Sequence, residues 1–210
     1  MKFENTQVFN FNGAFRGMRN PKESWNKSDS SYDVVYKDFY LGDNDLKLAQ
    51  TLIKAGSEHR KFMRQIFVSV DITAPAYFMA ELDTYKIGVT RNSSSFQHKG
   101  TSNRFTIDDF EVDNEIFEHC WYWEQILDTL NVLRDKYLET KDYKYFRCIR
   151  QLLPQSYLYH STITMNYENV LNMVHQRKNH KLTEWSKSFI EWARTLPYAQ
   201  ELIFIDEVVN

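Results

Sequence analysis

The chain is predicted to be an α+β protein, a small antiparallel sheet set among several long helices. Three observations predict this class. Gln65-Ile-Phe-Val-Ser-Val-Asp-Ile72 is a β-rich run, and His160-Ser-Thr-Ile-Thr-Met165 is a second β-prone stretch. Around them lie segments whose apolar residues recur at helical spacing, the longest from Asn114 to Thr140.

Taken in order, residues 1 to about 42 are expected to form an irregular arm. Asn10-Phe-Asn-Gly13 and Arg19-Asn-Pro21 are its turn signals, and Ser28-Asp-Ser-Ser31 is a polar loop. Asp43-Asn-Asp45 should cap a helix whose apolar face is Leu46, Leu48, Ala49, Leu52 and Ile53, with Gly56 stopping it. The strand Gln65–Ile72 follows. Ala74-Pro75 then opens a helix to about Thr84, since proline suits a first helical turn. Thr90–His98 reads as a polar loop, and the stretch to Asp109 as irregular or a short strand.

In the long helix, Ile116, Cys120, Trp123, Ile126, Leu127, Leu130, Leu133 and Tyr137 form the buried stripe. Shorter helices are expected over Tyr145–Leu153 and Asn166–Arg177, and a final long one over Leu182–Leu196. No internal repeat interrupts this order.

At 210 residues the chain is most simply one domain, long enough to bury a core. Its net charge of −2 provides no overall basic field for long nucleic acid or an anionic membrane. Only six Gly and four Pro are present, which favours regular segments over linkers. Cys120 and Cys148 lie far apart in helical sequence, without metal-ligand spacing, and read as buried free thiols. The N-terminus lacks an apolar signal region and no stretch approaches a membrane span, so a soluble cytoplasmic protein is expected.

The residues richest in chemistry are Arg150-Gln-Leu-Leu-Pro154, then Asn166, Asn172 and Arg177 on one predicted helix. At about 100° per residue the last three spread over more than one helix face. Two guanidiniums and two carboxamides suit an anionic, hydrogen-bonding ligand such as a nucleotide. The competing interpretation is ordinary surface charge. Asn92-Ser-Ser-Ser95, with Lys86 and Arg91 just before it, has the makings of an anion-binding loop or of a solvated turn. Glu81, Asp83 and Glu58 are candidate acids or bases. His175 and His180 are five residues apart, off one helix face, so no metal site is expected. Gly13 and Gly17 form no phosphate-binding glycine loop.

Ile72-Thr-Ala-Pro75-Ala-Tyr-Phe-Met-Ala-Glu81, Arg150-Gln-Leu-Leu-Pro154, Thr164-Met-Asn166, Asn172 and Arg177 together resemble the flavin-dependent thymidylate synthases. The likeness covers roughly Asp43 to Trp192. It departs at that family's Arg-His-Arg, seven residues, Ser signature, where this chain has Thr84-Tyr85-Lys86 and then Ser94. It departs again at Ser57–Arg64, where a His-Glu-Thr-Pro-Phe-Glu-His run is altered and Arg64 replaces an acid. Glu168 stands where the family has arginine, and Glu81 where it has a base-contacting glutamine.

The resemblance implies that Arg150, Ser94, Lys86 and Glu81 bind a pyrimidine deoxynucleotide and that Arg177 polarises its base in the catalytic role. It implies that Asn166, Asn172 and Tyr85 line the cofactor side, with FAD and folate as the cofactors it suggests, and a homotetramer with sites at subunit interfaces. Two functions follow: one-carbon transfer to C5 of deoxyuridylate or a related nucleotide, or a non-catalytic nucleotide-binding or interaction protein without flavin. A helical scaffold sharing only the fold is a third.

Overall fold

The computed structural model describes residues 1–113 and 121–207. Its N-terminal part comprises strand β1 (Lys2–Phe9), helix α1 (Phe11–Met18), a hairpin of β2 (Ser31–Asp33) and β3 (Asp38–Tyr40), and α2 (Asp43–Lys54). Next come β4 (Phe67–Pro75), α3 (Ala76–Leu82), β5 (Thr90–Ser93) and the single turn α4 (Phe96–Lys99). Two longer helices follow, α5 (Tyr122–Thr140) and α6 (Tyr143–Leu152). Strand β6 (Leu158–Asn166) runs directly into α7 (Tyr167–Arg177). A π-helical stretch, Glu184–Phe189, continues as α8 (Ile190–Arg194), and α9 (Ala199–Leu202) is short. The predicted class holds: a small antiparallel sheet, in the order β1-β4-β6-β5, accompanied by several helices.

Strand β4 alternates as a half-buried strand should, with Val68, Val70, Ile72 and Ala74 all at or below 1% exposure. It starts later than the β-rich run, because Lys61–Gln65 forms a 3₁₀ turn, and it continues to Pro75. The segment expected to be an irregular arm carries β1 and α1 instead. β1 occupies a sheet edge and shows no strict alternation of burial, so period-2 patterning cannot reveal it. The turn signal at Asn10 is a left-handed residue, φ 71°, that starts α1. Its carboxamide donates to the Gln65 carbonyl at 2.9 Å.

The cap of α2 also differs from expectation. Asp43 and Asp45 lie within its first turn, and the carboxylate of Asp29 accepts from the N–H groups of Asn44 and Asp45 at 2.9 and 3.1 Å. Asp45 is fully buried and pairs with Arg19 Nε at 2.5 Å. Gly56 ends this region as predicted, at φ 102°.

The residues fall into two compact units. The first comprises Met1–Lys2, Ile72–Thr84 and Asn92–Thr162. Its core is Phe96, Phe105, Phe110, Trp123, Leu130 and Ile149. Tyr157 packs edge-on against Phe96, Phe105 and Phe110 with centroid separations of 5.3, 6.3 and 5.7 Å. Asn131, 5% exposed, brackets the backbone of Phe105 through both ends of its carboxamide, at 2.8 and 2.9 Å. The helix expected from Asn114 is described from Tyr122 onward; its earlier part and Cys120 lie outside the described residues. It ends where predicted, with Lys141 left-handed at φ 57°, and Asp142 then caps α6 by accepting from Lys144 N at 2.9 Å.

The second unit comprises Phe3–Asp71, Tyr85–Arg91 and Ile163–Asn210. Phe11 is central to one of its aromatic clusters, stacked on Phe39 and edge-on to Tyr167 and Tyr198, each at 5.5 Å. A second cluster stacks Phe3 on Trp192 at 4.8 Å, with Phe189 and Trp185 beside it.

Candidate functional site

In the second unit, the site is built where β6 becomes α7. Asn166 is the N-cap: its side-chain oxygen accepts from Asn169 N at 3.0 Å, and Asn169 Oδ1 in turn accepts from Asn166 N at 3.1 Å. Asn169 Nδ2 donates onward to the Ile87 carbonyl at 2.8 Å. Gly88 takes φ 78°, and a Cβ there would lie 2.8 Å from Nδ2 of Asn166. Glycine is therefore required for the Tyr85–Arg91 turn to close on this cap.

That turn delivers Tyr85 to Arg177, the last residue of α7. Arg177 Nε donates to the Tyr85 hydroxyl at 2.8 Å, and that hydroxyl donates to Gln176 Oε1 at 2.9 Å. The guanidinium carbon also lies 5.0 Å from the ring centroid of Trp185, which is fully buried in the π-helical stretch. A guanidinium over an indole contributes about 0.5–2 kcal/mol. Trp185 lies within the π-helical stretch, and such turns recur at functional sites.

On α7, Glu168 is 7% exposed and receives Arg60 Nε at 2.8 Å together with Arg64 Nε. Arg60 Nη2 also donates to Asn172 Oδ1 at 3.0 Å. Burial alone would raise the Glu168 carboxyl, but the hydrogen bonds and charges of Arg64 and Arg60 outweigh it and hold the group below its usual range. A cleft of about 980 Å³ in the same unit is lined in part by Arg19, Lys22, Lys27, Glu58, His59 and Lys61. Arg19 is 5% exposed, and its Nη2 has no hydrogen-bond partner among the described residues.

The first unit holds the other predicted arginine. Arg150 Nη1 donates to the Tyr159 hydroxyl at 2.9 Å, and its guanidinium carbon lies 4.8 Å from the Phe96 centroid. Ser94 is exposed just beyond β5, with its N–H bonded to the His160 carbonyl at 2.8 Å. Glu81 is half-buried in the last turn of α3, where its carbonyl accepts from the Thr84 hydroxyl at 2.7 Å. Lys86, in the second unit, is exposed on the turn after Tyr85.

The structure thus brings Tyr85 to Arg177 and gives Asn166 and Asn172 partners on their own chain. The sequence alone does not mark Tyr159, Phe96, Trp185, Gln176 or Arg60 as members of these groups. Phe96 and Arg60 stand too far along the chain from Arg150 and Glu168 for local periodicity to report the pairing. Among the described residues, no group of three or more His, Cys, Asp or Glu is arranged to hold a metal ion. No described helix is long and apolar enough to cross a membrane.

Comparison with protein-family models and with curated protein sequences finds no match. Solved structures do match over the whole chain. Flavin-dependent thymidylate synthase ThyX from Helicobacter pylori, complexed with FAD and dUMP, aligns with a TM-score of 0.74 at 17% identity, covering 98% of this chain and 99% of that one. A second structure of that Helicobacter pylori protein with FAD and dUMP also gives a TM-score of 0.74 at 17% identity, covering 100% of both chains. At this identity the likeness is one of fold.

Proposed function

We propose that this chain binds a pyrimidine deoxynucleotide, with deoxyuridylate as its ligand. One observation carries the proposal: both arginines of the sequence pattern are pre-positioned in the same way. Each gives one N–H to a tyrosine hydroxyl and lies against an aromatic ring, Arg150 with Tyr159 and Phe96, Arg177 with Tyr85 and Trp185. A guanidinium fixed in this manner loses little conformational entropy on meeting phosphate or a base carbonyl. The fold likeness to a protein complexed with dUMP supports the choice of ligand. The lysines and buried Arg19 of the cleft favour an anion more generally.

The cofactor side supports binding without flavin. Tyr85, Asn166 and Asn172, the residues that the resemblance assigns there, commit their side-chain oxygens to Arg177, Gln176, Asn169 and Arg60. Glu168 puts a buried carboxylate among them, held by two arginines. This set does not fit a flavin cradle.

Thermal denaturation with and without dUMP tests the proposal. The expected result is a melting temperature that rises with dUMP concentration and an Arg177→Ala variant that shows no rise. An unaltered protein whose melting temperature ignores dUMP would overturn it. Titration with FAD should leave the flavin spectrum unperturbed, and a stable yellow complex would sink the flavin-free assignment.

A further inference from the structure

We infer that Gln176 discriminates between pyrimidine bases, favouring one with a carbonyl at C4 over one with an amine there. The inference rests on the nucleotide-binding function proposed above. Hydrogen-bond polarity carries it. Arginine can only donate, so the contact from Arg177 Nε at 2.8 Å makes the Tyr85 oxygen an acceptor. A tyrosine hydroxyl has one proton, and here it goes to Gln176 Oε1 at 2.9 Å. A reversed carboxamide would take this acceptor from the hydroxyl proton. The relay runs from Arg177 through Tyr85 to Gln176.

With its oxygen committed to Tyr85, the carboxamide turns its NH₂ group away from the relay. Gln176 is exposed in the last turn of α7, and its head group meets that of Arg177 at a single tyrosine oxygen. A ligand base that reaches Arg177 at this point meets donors from two adjacent residues. A base with a C4 carbonyl presents an acceptor to them, whereas cytosine presents an amine, a donor against donors. Tyr85 is a positioning residue in this scheme, because it fixes which end of Gln176 faces the ligand. A glutamine lacking that partner would rotate to satisfy either base.

Calorimetric titration of the full chain with dUMP and dCMP tests this. The unaltered protein should bind dUMP about tenfold more tightly than dCMP, the worth of roughly one hydrogen bond made rather than lost. Gln176→Leu should bring the ratio of the two Kd values close to one. Gln176→Glu, whose carboxylate only accepts, should turn the ratio toward dCMP. Tyr85→Phe should reduce the ratio by releasing the carboxamide. Because Gln176 is exposed, its two variants should melt at the same temperature as the unaltered protein without ligand. Equal binding of both nucleotides by the unaltered protein, or an unchanged ratio in both Gln176 variants, overturns the inference while leaving the nucleotide site standing. If neither nucleotide binds the unaltered protein, the nucleotide function fails and this inference falls with it.

Discussion

Arg150 lies on the face of Phe96, its guanidinium carbon 4.8 Å from the ring centroid, and Tyr159 holds one of its nitrogens. Phe96 is itself anchored in the core of its unit, at 7% exposure. The core thereby fixes the orientation of an exposed cation. What matters is the planar guanidinium, since an ammonium keeps the charge but loses the fork and the stacking. Arg150→Lys and Arg177→Lys should each weaken dUMP binding by about tenfold, near 1.4 kcal/mol, as measured by calorimetry. Arg150→Lys should leave the ligand-free melting temperature almost unchanged because Arg150 is exposed.

Glu168 anchors the Arg60–Gln65 segment to α7 through Arg60 and Arg64. Glu168→Gln should cost about 2 kcal/mol at neutral pH, less than for a fully buried pair because Arg64 is partly exposed. The pH dependence has a definite sign. The folded carboxyl titrates below its ordinary value of 4.5. Its contribution to stability is therefore complete above that value and is lost as pH falls through the lowered folded one. Urea unfolding at several pH values should show the two proteins diverging above the ordinary carboxylate range and converging in more acidic solution.

Asp45 takes Arg19 Nε on one carboxylate oxygen and both the Ser28 hydroxyl and the Ser30 N–H on the other, with no exposure to solvent. Removing it strands the Arg19 cation, which is also buried. Asp45→Ala should lose about 3–5 kcal/mol, a shift in urea midpoint at constant slope. Replacing both residues together, Arg19→Met with Asp45→Leu, should recover a large part of that loss.

Asn131 satisfies a backbone donor and acceptor of Phe105 that would otherwise be buried without partners. Asn131→Leu should cost about 2–3 kcal/mol despite adding apolar volume, because both Phe105 groups lose their bonds. A stabilised or unchanged variant in thermal unfolding would contradict this account of the interior.

Much of the fold was legible because its signals lie within single segments. Alternation marks β4, helical spacing marks α5, and Gly56 stops its helix by the positive φ that glycine tolerates. β1 is not legible because an edge strand without strict alternation carries no such pattern, and α1 because its start is a left-handed Asn10 that reads locally as a turn. The cap of α2 comes from Asp29, more than a dozen residues upstream, while the nearby aspartates carry the local cap signal.

The sequence by itself determined the fold class and singled out Arg150 and Arg177 as the residues to watch. Only the tertiary structure decided what holds them. Tyr85 is 92 residues from Arg177, and Phe96 reaches Arg150 from a different helix. Periodicity reports which side of a segment is buried, because that depends on the rise and twist of the segment alone. What stands opposite that side depends on how distant segments pack. It was this packing that turned two arginines in a pattern into two pre-positioned guanidiniums, and gave Gln176 a fixed direction.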